Sequence, residues 1–587
     1  MSDLVFRRNL LALSPRSPDL AALLDETEPD PRLSFRAARS GALVPVYAKD
    51  GREAAFHSLM DPRRDAERLA AAQPPGGFIA ALGLGAGYGL APYLASSATT
   101  GILVVEYSAP LLRAVLEEFD LSELFLDPRF SLLLDPEPRE IEAALLASYI
   151  PPLAGDLRSV PLRGRVDQDP GLFAGAAAAI RKVLDRISDD YSVQAFFGKL
   201  WFRNAVRNLF AAERPASPLP PIRRAVVTAA GPSLEAALPA VAKARGEGAF
   251  LIATDTSLPA LLGSGMRPDA VVSIDCQAIS YYHFLKGLPA GVPLVLDLAS
   301  PNRLARLGGE LRFFSSGHPF CAYLSSRFRP FPALDTSGGN VTHAALSLAE
   351  ALGAESALLA GADFSYPEGK SYARGTYIYD YFDALSGRLS PSESLFSGFI
   401  FRNASVFRET DRTPEGKEYS RFVTKPLVAY REHLERFAAA SSLAVRPLRG
   451  LGVEIRIPEG QARKRRERAV FAAGHASMSA ADFLKRYAAD LAALPPPAEP
   501  AAAYLGSLAP AERDLWTTLL PSASALQRAL GLAKAAAEAE SGGGGHAAQG
   551  AAERAAALAA AGPAALLESV RAWALDEIAE ALEAAGR

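Results

Sequence analysis

The chain has 587 residues, 49% hydrophobic and 22% charged, with a formal net charge of −3. That length is too great for one hydrophobic core and implies roughly two to four domains, while the near-neutral charge excludes a general affinity for nucleic acid or anionic membrane. The two cysteines, Cys276 and Cys321, fit no metal-ligand spacing or disulfide framework, and neither a secretory h-region nor a membrane-length apolar run is seen, so a soluble, cytoplasmic protein is expected.

Residues 1–190 read as an N-terminal Rossmann-like α/β domain. ALVPVYAKDGREAAFHSL is a hairpin turning at Asp50-Gly51. GGFIAALGLGAGYGLAPYLA is a strand, a glycine loop and a helix, and GILVVEYS and RFSLLLDP are further strands. Residues 191–224 are a helical connector, SVQAFFGKLWFRNAVRNLFAA, and a proline-rich linker. Residues 225–450 form a second Rossmann-like α/β domain. Its strands AVVTAA, FLIATD, AVVSID, PLVLDL, RFFSS and ALLAGA alternate with helices, which predicts a mainly parallel sheet. Residues 451–587 are Ala-rich and read as a C-terminal α-helical domain, with a flexible joint at Ser541–Gly545 and a final amphipathic helix. The basic run Arg463–Arg468 reads as a solvated helix face.

Gly83, Gly85 and Gly87 follow a strand and open a helix, and Glu106 ends the next strand. This is the pattern of a dinucleotide or S-adenosylmethionine site, with glycines for close approach and an acid for the ribose; it is equally the pattern of a Rossmann-like domain without a ligand. In the second domain Gly231, Pro232, Ser233 and Leu234 turn a strand into a helix. Here glycine admits a phosphate or ribose, proline suits the first helical turn, and serine caps the helix or donates to a ligand. The strand ends Thr254-Asp255 and Ser273-Ile274-Asp275 carry carboxylates where a parallel sheet binds ligands. They suit ribose hydroxyls or a divalent ion, and Asp255 also suits a helix N-cap. Thr336, Ser337, Gly338, Gly339 and Asn340 start an amphipathic helix with Val341, Ala344, Ala345, Leu348 and Leu352 on one face. His343 in that helix reads as a buried, satisfied histidine. Asp363 and Tyr366 end the following strand, and a tyrosine-rich loop carries Tyr372, Arg374, Tyr377 and Tyr379. Phenols and a guanidinium are suited to stabilising a departing phosphate.

Taken in order, AGPSLE, the TDTS and SID strand ends, and TSGGNVTHAALSLAEALGAESALLAGADFSY resemble the central domain of the Maf (motility-associated factor) flagellin glycosyltransferases, and most of the chain follows that family's layout. The same segment is similar to bacterial lipooligosaccharide sialyltransferases, whose GNGPSL, TSGVY and GSSYA motifs look like Ala229–Leu234, the start of Thr336–Phe364, and Gly369–Ala373. The resemblance implies that the central domain is sialyltransferase-like, a variant of the GT-A fold. It implies a protein O-glycosyltransferase that moves a nonulosonic acid (pseudaminic, legionaminic or sialic type) from a CMP-sugar donor to Ser or Thr of flagellin. The donor is a substrate, no cofactor is firmly implied, and the need for a divalent metal stays open. CMP would contact Gly231, Ser233, Ser337 and Gly338, with Tyr372, Tyr366 and Arg374 at the leaving phosphate. The sialyltransferases' catalytic histidine has no counterpart in EGKEYSRFVTKPLVAYREHLERF, which leaves Asp363, Asp335 or Glu418 as bases. Archaeal MptE-like 6-hydroxymethylpterin diphosphokinases share this domain type, which keeps ATP-dependent phosphotransfer as an alternative. A non-catalytic flagellin-binding scaffold is the third reading.

Overall fold

The computed structural model describes residues 2–457 except 215 and 414, together with 476, 478–540 and 562–586. The basic run Arg463–Arg468 and the glycine joint Ser541–Gly545 lie outside the described residues. Two units result: Met1–Gly198 with Ala493–Trp573, and Lys199–Ala492 with Ala574–Arg587. They divide within the helix Pro170–Ala212. The C-terminal stretch is helical, with helices Ala480–Ala493, Ala501–Ser507, Pro510–Glu540 and Gly562–Gly586, and these are shared between the units.

In the first unit, strands β1 (Leu33–Ala37), β2 (Leu43–Lys49) and β3 (Arg52–Ala55) form an antiparallel sheet in that order. The β2–β3 hairpin turns at Asp50 and Gly51, whose φ values of 53° and 72° suit the twist of the flanking strands. Strands β4 (Gly77–Leu82), β5 (Thr99–Glu106), β6 (Phe130–Leu134) and β7 (Leu157–Pro161) form a parallel sheet ordered β6-β5-β4-β7. Residues 78–82 and 101–106 are buried throughout, which is why they spell unbroken apolar runs.

The second unit is built on a seven-stranded parallel sheet. Its strands are β8 (Arg224–Thr228), β9 (Phe250–Thr254), β10 (Ala270–Ser273), β11 (Leu294–Asp297), β12 (Leu311–Phe314), β13 (Ser356–Ala360) and, added at the edge, β17 (Ala444–Pro447). Between β13 and β17 an insertion folds the short β14 (Tyr366–Pro367) with the hairpin β15 (Val406–Arg412) and β16 (Glu418–Thr424) into a small antiparallel sheet. The order β12-β11-β10-β9-β8-β13-β17 reverses direction between β8 and β13. Such a reversal parts the loops that follow the two strands, and open α/β sheets bind their ligands in the gap.

Val227, Ile252, Val272, Val295 and Phe314 line one face of this sheet and pack on the helix Val341–Ala351. That helix is buried from Thr342 to Glu350, not on one face alone. Leu434, Phe437 and Ala438 of the helix Lys425–Ala440 join the same core, so the side expected to meet water is covered.

Candidate functional site

The first unit also reverses strand order, between β4 and β7, and the glycine loop follows β4. The structure brings Gly83, Gly85, Gly87 and Glu106 together, with the chain's own side chains against them. Arg165, placed just after β7 and 1% exposed, sets its Nε 2.9 Å from Glu106 Oε1. The backbone N–H groups of Leu84 and Tyr107 donate to Glu106 at 2.7 and 2.8 Å. Ala86 N–H donates to His57 Nε2 at 2.9 Å. A Cβ on Gly83 would meet the Arg165 side chain at 2.9 Å, and one on Gly85 would meet His57 at 2.5 Å. These glycines make room for protein. Burial pushes the Glu106 carboxyl up, opposed by the Arg165 charge.

In the second unit the residues after β8 and β13 are locked to each other. Gly231 N–H donates to Gly361 O at 2.8 Å, and Ser233 N–H to Asp363 Oδ2 at 2.8 Å. A Cβ on Gly231 would stand 2.4 Å from Asp363 Oδ2 and 2.5 Å from Gly361 O, so that turn needs glycine. Pro232 is half-buried beside it, and Leu234 is fully buried at the helix start. Ser233 does not cap its helix with its side chain; its Oγ accepts the Leu451 N–H at 3.0 Å. Burial pushes the Asp363 carboxyl up, opposed by its Ser233 hydrogen bond. Asp363 therefore serves as the clasp of this turn, tied also through Val453 N–H to its carbonyl at 2.8 Å.

Beyond β9, Thr254 Oγ1 accepts Ser257 N–H at 3.3 Å and caps a short helical turn. Buried Asp255 accepts Thr256 N–H at 2.7 Å on one oxygen and Ser273 Oγ–H at 2.7 Å on the other. Asp275, two residues past β10, accepts Gln277 N–H at 2.8 Å. Burial pushes the Asp275 carboxyl up, and the Asp255 charge adds to that rise. Asn204 and Asn208, one turn apart on the helix Pro170–Ala212, fasten the neighbouring loops. Asn204 donates to Cys276 O and Ala299 O at 3.0 and 2.8 Å, and Asn208 to Leu298 O and Ser300 O at 2.9 and 2.7 Å.

Asp335 organises the loop that follows. Its Oδ1 accepts Ser337 N–H at 2.9 Å and Ser337 Oγ–H at 2.6 Å, and its Oδ2 lies 3.5 Å from His343 Nε2. The His343 ring and the Ser337 hydrogen bonds hold its carboxyl well below the usual range. Asn340 caps the helix by accepting His343 N–H at 3.1 Å. Gly338 lies directly on the His343 ring, where a Cβ would meet Nδ1 at 2.2 Å. Gly339, at φ +67°, faces Tyr430, and Thr336 is half-buried between them and Asp335. On its other side the loop joins β12's continuation through a parallel bridge, Ser315 to Ala333.

Tyr366, Tyr372 and Tyr377 converge beside Asp255 and Asp275. Burial pushes all three phenols up, and the Arg402 guanidinium opposes the rise in each. Asp275 acts on Tyr377 and Tyr430, and Asp255 on Tyr372. Arg402 lies over the Phe399 ring at 4.1 Å, and Phe399 packs on Tyr372. Arg374 is placed elsewhere: it is exposed, its backbone N–H donates to Glu235 at 3.0 Å, and its charge acts on Tyr379. Glu418 starts β16 at the far end of the β15–β16 hairpin, opposite Arg412. The cation facing the phenols is Arg402, which no local motif marks; a basic residue closing an aromatic helix, SESLFSGFIFR, is its only trace in the sequence.

Residues 203–369 match the family model "6-hydroxymethylpterin diphosphokinase MptE-like". Uncharacterized proteins of Treponema pallidum (strain Nichols) are similar to parts of the chain. One is 38% identical over 142 residues, 24% of this chain and 49% of the relative; another is 42% identical over 98 residues, 16% and 46% respectively. The chain thus spans about half the length of these curated relatives. Among solved structures, the Maf glycosyltransferase from Magnetospirillum magneticum AMB-1 superposes with a TM-score of 0.53 at 15% identity, over 99% of this chain and 95% of that one. The chain has the fold of a Maf glycosyltransferase, with an MptE-like segment at its centre.

Proposed function

We propose that this protein is a glycosyltransferase that moves a nonulosonic acid, of the pseudaminic, legionaminic or sialic type, from a CMP-activated donor to Ser or Thr hydroxyls of flagellin. Flagellum assembly and motility would depend on it. The observation that carries the reading is the cluster of Tyr366, Tyr372, Tyr377 and Arg402 beside the strand-end carboxylates, on the fold of a Maf glycosyltransferase. CMP would lie across the gap between β8 and β13, against Gly231, Ser233 and the Ser337–Gly339 loop, with the sugar toward Asp255 and Asp275. Breaking the bond from sugar to phosphate leaves an oxocarbenium-like carbon and an extra charge on CMP. Phenol O–H groups and a guanidinium fixed beforehand around that charge stabilise it where it develops. The chain would act in the cytoplasm; among the described residues no helix is long and apolar enough to cross a membrane.

Calorimetric titration with CMP, CTP and ATP, with and without Mg²⁺, tests this, together with the intact mass of flagellin after incubation with donor. Metal-independent CMP binding and a nonulosonate mass increment are expected. The match of residues 203–369 to the MptE-like model supports a second reading, ATP-dependent diphosphate transfer to a pterin, with Asp255 and Asp275 toward Mg²⁺. Mg²⁺-dependent ATP binding with pterin turnover would replace the first reading by the second, and a chain that binds no nucleotide would be a scaffold.

A further inference from the structure

One pair of titratable groups, Asp297 at the end of β11 and His318 just after β12, lies beside this cluster. Asp297 ends β11, is 1% exposed, and accepts Ser316 Oγ–H on Oδ2 at 2.7 Å. His318 Nε2 lies 3.9 Å from the same oxygen, beyond direct hydrogen-bond reach, and its side chain is 23% exposed. The Trp201 ring stacks on the imidazole at 3.8 Å with a 19° tilt and fixes its plane. The Ser316 hydroxyl and the backbone N–H groups of Leu298, Ala299 and Ser316 hold the Asp297 carboxylate in place beside His318.

The pair is next to the proposed donor site on two sides. Ser315, three residues before His318, forms the bridge to Ala333 that leads into the Asp335–Gly339 loop. On the other side, Cys276 follows Asp275 directly and feels the charges of both Asp275 and Asp297. Asn204 ties the Cys276 and Ala299 carbonyls, which holds the two strand ends in one frame.

We propose that His318 is the general base that activates the acceptor hydroxyl, with Asp297 as its positioning residue. This assignment rests on the glycosyltransferase reading above. With the ring proton carried on Nε2, the nitrogen on the Asp297 side, the lone pair is on Nδ1. That nitrogen takes the proton of the Ser or Thr O–H as the oxygen bonds to the anomeric carbon. The bond from that carbon to the phosphate oxygen breaks, and CMP leaves with the electron pair toward Tyr372 and Arg402. The imidazolium so formed is stabilised by the Asp297 carboxylate. Burial pushes His318 down to about 4, so the ring enters the reaction neutral.

The test uses the full chain, CMP-nonulosonate and flagellin. His318→Gln should lower the transfer rate by about 10²–10⁴-fold while CMP affinity stays within a few-fold of wild type. CMP release by donor hydrolysis without acceptor should persist in that variant, a result that a misfolded protein would not give. Asp297→Asn, nearly isosteric, should lower kcat and leave the donor KM unchanged. Wild-type transfer accompanied by equal transfer from His318→Gln overturns the assignment, and loss of transfer in Asp275→Asn alone would then point to Asp275. A wild-type chain that transfers no sugar at all removes the proposed function itself, not merely its base.

Discussion

Asp363 Oδ2 accepts the backbone N–H of Ser233 at 2.8 Å across 130 residues of sequence. With the Gly231 N–H to Gly361 O bond it holds the loop after β13 against the loop after β8, at a spacing where a Cβ on residue 231 would collide. Asp363→Ala would free a buried donor and cost about 1–3 kcal/mol. The expected result is a lower thermal midpoint and weakened CMP binding, measured by melting and titration. Because Asp363 is a clasp, Asp363→Asn should recover part of the stability; a chemical role without a structural one would show activity loss at unchanged stability.

Gly231→Ala tests the same turn from the other partner. Its Cβ would overlap Asp363 Oδ2 and the Gly361 carbonyl, at 2.4 and 2.5 Å, and the carbonyl is backbone that cannot swing away. A loss of about 1–3 kcal/mol is expected, together with reduced CMP affinity. Gly398→Ala, inside the helix Ser392–Phe401 with no atom near its Cβ, is the control; it should keep CMP affinity and gain up to about 1 kcal/mol of stability.

Arg402→Ala should leave the melting temperature nearly unchanged, since the side chain is exposed and lies on the Phe399 ring. Transfer should fall by about 10²–10³-fold, the usual effect of deleting a group that stabilises developing charge. Arg374→Ala, away from the phenols, should change the rate far less. Steady-state rates on the two variants decide which guanidinium faces the leaving group.

How the fold and site were readable follows from these particulars. β8 to β13 were legible because strands buried on both faces must be runs of Val, Ile, Leu and Ala. β15, VFRETDR, is exposed along nearly its whole length and carries no such run, and β17 is only AVRP. Both were missed, as was β7. The Gly231–Leu234, Asp255, Asp275 and Thr336–Asn340 segments stood out because a tight turn leaves a local mark. Arg402 and His318 did not, since their role depends on which distant loops meet them. Asp363 was visible as a carboxylate at a strand end, yet its engagement with Ser233 could be found only in three dimensions.

The first unit offers a prediction of the opposite kind. Arg165 and Glu106 occupy the gap between β4 and β7, so titration with NAD or S-adenosylmethionine should give no heat of binding. Glu106→Gln would leave Arg165 buried with Asp169, 2.6 Å away, as its one charged partner among the described residues. A loss of about 3 kcal/mol is expected in chemical denaturation.

Stability should also report on Asp297. Burial raises its folded pKa to about 6, against about 3.9 for a free aspartate. Folding is therefore favoured by the protonated form: its contribution is fully present below the unfolded value and is lost as pH rises through about 6. In Asp297→Asn that loss disappears, so between about pH 4 and 6 the variant should gain on wild type, by on the order of 3 kcal/mol. Denaturation midpoints measured across that range check it.

The place of β13 has a consequence for synthesis. β8 is central, yet one of its two neighbours pairs Ser356 with Arg224 and is made long after β8 itself. Until residue 360 has left the ribosome, one side of β8 is a bare row of peptide groups, open to any other strand. Closing it requires a long-range pairing, which is slow to form. Nascent chains of this protein thus pass through an interval in which chaperone cover or aggregation decides their yield, and a fragment ended before β13 would stay in that state permanently.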